Sequence, residues 1–270
     1  MARKSVAYSM LGLALLFIVY DYIIQVAPSV MTSAIMSEFK IGAKGIGVLS
    51  SSFLFAYAIM QVPAGMLLDR YGARSMLTLA ALVSGLGTLL FAASHTLLFG
   101  SIARFFMGSG SAFSFLGGLF IAYRWLKPSN FALAVGVLQL GSGTGSIIGE
   151  APLARLLHSI DWRFSFSMMA GCAFLLAIIF TVFIRNSPTD TEETPSHSFP
   201  FCDVIKNKQL WALASINFIT WLPAGAVGGL WGIPYLMHAK HISNTQAGTY
   251  FIALWLTTSL MAPLIGLLTD

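Results

Sequence analysis

Apolar stretches of about twenty residues, separated by polar turns, run along the whole chain. Eight can be drawn, at residues 6–30, 46–68, 75–94, 98–122, 131–150, 164–184, 210–236 and 246–268. As a helix rising ~1.5 Å per residue, each is long enough to cross ~30 Å of hydrocarbon. The pattern therefore predicts an all-α integral membrane protein. One polar segment stands out. Asn186 to Lys208 holds Asp190, Glu192, Glu193 and Asp203, three prolines and several Ser/Thr. It reads as a solvated linker over 186–209 that divides a six-span unit, 1–185, from a two-span unit, 210–270.

Composition agrees. Of 270 residues, 57% are hydrophobic and 9% charged, where a soluble domain carries about 25% charged. The formal charge of +5 is spread between the apolar runs rather than clustered, which argues for membrane topology and against a nucleic-acid partner. Arg3, Lys4, Arg70, Arg74, Arg124, Lys127, Arg185, Lys206 and Lys208 would lie on one side of the bilayer. Lys40, Lys44, Arg155, Arg163 and Lys240 would lie on the other. The richer side is the cytoplasm, so the N terminus is expected inside. The opening Met1-Ala2-Arg3-Lys4 and the apolar run behind it read as an uncleaved first span. Cys172 and Cys202 make neither a disulfide framework nor a metal cluster, and the five histidines fall in loops or span ends. The glycine-rich runs follow no strand and lack a Gly-Lys-Ser/Thr ending, so they are not phosphate loops. No nucleophile–base pair is visible. Neither an enzyme nor a cofactor is expected.

The charged turn Gly65-Met66-Leu67-Leu68-Asp69-Arg70-Tyr71-Gly72-Ala73-Arg74 sits between the second and third spans. Gly65 would let two helices approach, and Gly72 can take the positive φ of a short reversal. Asp69 can accept from orphan donors at a helix start, while Arg70 and Arg74 hold the turn at the cytoplasmic surface. The turn resembles the G-x-L-x-D-R-x-G-x-R loop between helices two and three of the major facilitator superfamily of transporters, matched at every fixed position. Gly266-Leu267-Leu268-Thr269-Asp270 repeats its opening 201 residues later, after the second span of the second unit. The resemblance implies a bundle of twelve helices in two six-helix halves, of which this chain holds eight. It also implies a monomer in the cell (inner) membrane that works by alternating access. A truncated, non-transporting membrane protein is the alternative the chain end raises.

Asp21, flanked by Tyr20 and Tyr22 with Gln25 one turn on, is the sharpest candidate for chemistry, because a carboxylate at this depth normally faces a wet cavity and has a partner. Arg104 is the basic residue well inside a span. With Gly108 and Gly110 it resembles the superfamily's R-x-x-x-G-x-G fourth-helix motif, although Met107 stands where Gln is usual. Asp21 would lie ~8 Å and Arg104 ~9 Å below the same outer surface, so the two could pair. The other reading of Arg104 is a cap on carbonyls at a helix junction. Gly141, Gly145 and Gly149 put small residues on one face of span five for close helix packing. The superfamily's antiporter motif has Pro and Gly where this chain has Ser146 and Glu150, which speaks against drug efflux. Glu150 reads as a surface acid or gate residue, Gln139 as a cavity contact, and Asn217 and Trp221 with Pro223 as a broken, cavity-facing segment. Asp161-Trp162-Arg163 reads as an interfacial anchor with Arg163 turned outward. A lone cavity arginine beside one carboxylate suits a small anionic or zwitterionic metabolite (an organic anion, a sugar phosphate or a peptide) carried with protons. Drug or metabolite efflux is the runner-up.

Overall fold

The computed structural model describes residues 2–156, 160–186 and 206–269. Residues 187–205, most of the expected linker, lie outside them, as do Met1, 157–159 and Asp270. Among the described residues every regular element is helical. The long helices are α1 (Ala2–Val30), α3 (Ala43–Ala93), α4 (Leu97–Trp125), α5 (Phe131–Gly149) and α7 (Trp162–Phe183). Short helices α2 (Thr32–Phe39) and α6 (Ala151–Leu156) join them. The second unit opens with α8 (Lys208–Pro223), continues as a π-helical stretch, Ala224–Trp231, and ends with α9 (Gly232–Lys240) and α10 (Asn244–Thr269). The 51-residue α3 is two spans. Its backbone breaks at Gly72, with φ 77° and ψ 166°, so among the described residues the seven helices long and apolar enough to cross a membrane supply eight such lengths.

Lipid tails are as apolar as leucine, so these helices are held by close contact rather than by exclusion from water. Glycines permit it. A Cβ on Gly110 would stand 2.5 Å from the Ala80 carbonyl, and one on Gly108 would overlap the Phe53 carbonyl, which locks α4 into α3. At the end of α3 away from Gly72, Phe91 meets Phe166 and Trp162 edge-on at 4.9 and 5.8 Å, and Phe39 from α2 joins at 6.1 Å from Trp162. Each such aromatic pair contributes about 1 kcal/mol beyond its buried area.

Several expectations are corrected here. α2 falls in what reads as a loop, because eight residues are too few to show a helical period; it buries Ile35 and Phe39 and ends on Lys40 in the left-handed region. Arg163 does not turn outward. Its guanidinium donates to Glu38 Oε1 at 3.0 Å and to the Ala92 carbonyl, at 2.5 Å, so that it ties α7 to α2 and to the end of α3. Gly65 is no close-approach point, since a Cβ there would meet nothing within 4 Å.

Candidate functional site

Pro28 shapes the middle of the site. Lacking an N–H, it cannot bond the carbonyl of Ile24 four residues earlier, so α1 carries an orphan acceptor inside the membrane. Arg104 of α4 fills that role: its Nη1 donates to the Ile24 carbonyl at 2.9 Å and its Nη2 to the Gln25 carbonyl at 3.5 Å. The guanidinium lies 4.4 Å over the Phe53 ring, an additional cation–π attraction. Arg104 is 1% exposed, its Nε has no partner, and among the described residues no carboxylate lies within 4.0 Å of it. The helix-junction cap is thus the state this structure holds.

Asp21 sits one turn before Ile24 on α1 and is 2% exposed. Its Oδ2 accepts from Ser114 Oγ at 2.7 Å, and the buried Ser111 hydroxyl faces the same carboxylate. Ser111 and Ser114 are three apart on α4, and Arg104 is seven before Ser111, so all three share one helix face. That serine–arginine periodicity was the readable sign of Asp21's partner. The expected direct contact between Asp21 and Arg104 is absent here, because each side chain is already satisfied in part by the opposite helix.

In front of Arg104 opens a cavity of about 740 Å³. Tyr22, Gln25, Arg104, Gln139 and Trp221 line it, together with Phe53, Tyr57 and Trp255, which no sequence pattern singles out. Asp21 stands behind this lining rather than in it. Asn217 lies on α8, but its side chain is outside the described set. The π-helical stretch after Pro223 supplies Gly225, Ala226 and Leu230 to the wall; such wide turns leave backbone less tightly bonded and recur at functional sites. The arrangement can hold a small solute against one guanidinium and several amide and hydroxyl groups.

A family profile described as the Major Facilitator Superfamily matches residues 13–270. The chain belongs to that superfamily. It is 24% identical over 282 residues to the uncharacterized transporter YybO of Bacillus subtilis, which covers 92% of this chain and 61% of the relative. It is 25% identical over 230 residues to the hexuronate transporter of the same organism, covering 76% and 53%. Among solved structures, a bacterial homolog of the human lysosomal transporter Spinster, inward-facing and unoccupied, superposes with a TM-score of 0.75 at 19% identity. That match covers 93% of this chain and 60% of the homolog. The chain therefore spans between 53% and 61% of these proteins' lengths.

The facilitator-type turn forms a second, smaller recess of about 160 Å³ around Asp69, Arg70, Gly72, Arg124, Arg185 and Asn186. The acceptor at the start of the third span is not Asp69. Asn186 Oδ1, from beyond α7, takes the Arg74 N–H at 3.2 Å and sits where a Cβ on Gly72 would be. Asp69 and Arg70 are exposed and line the same recess as Asn186.

Span five carries two glycine faces. Gly141, Gly145 and Gly149 all face α1: a Cβ would stand 2.7 Å from Leu15 Cδ1 at Gly141, 2.8 Å from Tyr22 Cβ at Gly145 and 2.5 Å from Val26 Cγ2 at Gly149. Gly136 and Gly143 instead face α10, where a Cβ on Gly136 would stand 2.6 Å from Pro263 Cα and one on Gly143 would overlap Ser259. Glu150 belongs to this second contact. It is fully buried rather than a surface acid, and its Oε1 accepts from Trp255 Nε1 at 2.7 Å across the two units. Asn244 Nδ2 adds a second bond between units, to the Val30 carbonyl at 2.8 Å.

Proposed function

We propose that this chain is part of a secondary transporter that carries a small organic anion through the Arg104 cavity by alternating access. In this reading Arg104 holds the solute's carboxylate, Gln25, Gln139 and Tyr22 orient it, and Asp21 takes up and releases the coupled proton. The protein acts as a monomer in the cell membrane with its N terminus in the cytoplasm. The observation that carries the reading is a buried guanidinium at a cavity wall, bonded to two carbonyls and the Met107 sulfur and to no carboxylate among the described residues. A carboxylate is a stronger acceptor than a carbonyl, so an arriving anion can draw Arg104 away from Ile24 and Gln25. That exchange releases the last turns of α1, which gives solute binding a direct hold on helix geometry.

Support for an anion comes from the similarity to the hexuronate transporter of Bacillus subtilis. The test is counterflow of labelled D-glucuronate into proteoliposomes. Uptake is expected from the parent protein, loss with Arg104→Ala, and uptake that no longer responds to a pH gradient with Asp21→Asn. Equal uptake by the parent and by Arg104→Ala would remove the proposed anchor. An unchanged pH response in Asp21→Asn would remove the proton role.

A further inference from the structure

The cavity's two walls differ in chemistry. The wall from α1, α3, α4 and α5 carries Arg104 with the polar groups of Gln25, Ser50, Ser51, Tyr57 and Gln139. The facing wall, from α8, the π-helical stretch and α10, presents Phe218, Trp221, Leu222, Leu230, Trp231 and Trp255. No charged side chain lies on it among the described residues. Its side-chain donors are indole N–H groups, and that of Trp255 is given to Glu150.

Resting on the anion-carrier reading above, we propose that the cavity takes a monocarboxylate with a flat, apolar body, an aryl carboxylate in kind, in preference to a polyhydroxylated sugar acid. One cation lines the cavity among the described residues, so one carboxylate is matched and a second would be buried unpaired. Hydroxyls pressed against the indole and leucine wall would lose water without gaining partners. A ring there gains face contacts instead, with its carboxylate directed across to Arg104. The volume of about 740 Å³ accommodates one or two fused rings with the carboxylate and some water.

The experiment is equilibrium binding of radiolabelled phenylacetate and D-glucuronate to the purified 270-residue protein, with benzyl alcohol as an uncharged ring control. Phenylacetate is expected to bind roughly tenfold tighter than D-glucuronate. Trp221→Ala, at an exposed position, should weaken phenylacetate by roughly fivefold and D-glucuronate by clearly less. Arg104→Ala should weaken both carboxylates, and benzyl alcohol should bind worse than phenylacetate. If D-glucuronate binds through Arg104 as tightly as phenylacetate or tighter, or if Trp221→Ala weakens both equally, the aryl preference is overturned while the anion reading stands. If the folded protein binds neither carboxylate, or binds benzyl alcohol as well as phenylacetate, the anion reading itself falls and takes this one with it.

Discussion

At Arg104 two acceptors compete, the Ile24 carbonyl orphaned by Pro28 and an incoming carboxylate. Pro28→Ala restores an N–H to α1 and gives Ile24 its own intrahelical partner. Arg104 is then held less firmly, and carboxylate affinity should rise by roughly three- to tenfold, the worth of one hydrogen bond, in a direct binding titration. Ser114→Ala removes the hydroxyl on Asp21 Oδ2 and should cost about 2 kcal/mol of stability, read as a lower melting temperature in detergent. The sequence showed that Asp21 and Arg104 lie at similar depth, because depth follows from helical rise alone. It did not show that they would be apart, since that depends on side-chain partners from the opposite helix. The cue was present in Pro28, four residues after Ile24, and in the Ser111–Ser114 spacing.

Span five illustrates what an element carries beyond its apolarity. Its face toward α1 and its face toward α10 are both built on glycine, but they join different parts of the molecule. Gly145→Leu forces a side chain into Val19 and Tyr22 within the first unit and should destabilise by at least ~2 kcal/mol, seen as a lower melting temperature. Gly143→Leu instead pushes against Trp255 and Ser259 of α10. It should leave the first unit's melting unchanged while weakening a cysteine cross-link engineered between Gln139 and α10. The helices themselves were legible, because twenty apolar residues bounded by charge have one stable form in a bilayer. The 141–145–149 face was legible from its spacing. The 136–143 face was not, since its partner lies more than a hundred residues away and two glycines seven apart make no conspicuous pattern. α2 escaped notice for a related reason: its helical form depends on burying Ile35 and Phe39 against neighbours.

Across the whole molecule, two hydrogen bonds join the units: Trp255, near the middle of α10, donates to Glu150 beyond α5, and Asn244 at the start of α10 donates to Val30 at the end of α1. Glu150→Ala leaves the Trp255 donor without its acceptor, at a cost of about 1–3 kcal/mol to that contact. The cavity should then become more accessible from the side on which these bonds lie, measured by labelling at its wall. Membership of the superfamily was readable from the ten-residue turn, whose charges and glycines answer to a tight reversal at a membrane surface. The placement of Asn186 in that turn was not, because no local rule ties residue 186 to residue 74. The account rests on the cavity before Arg104 being a watery compartment that opens alternately to the two sides of the membrane. Its most direct test is a single cysteine at Ser51→Cys, with Cys172 and Cys202 changed to serine, probed by a membrane-impermeant thiol reagent in right-side-out and inside-out vesicles. The account predicts labelling from both sides, in a proportion that a bound carboxylate shifts. Labelling from one side alone, unchanged by any carboxylate, would contradict it.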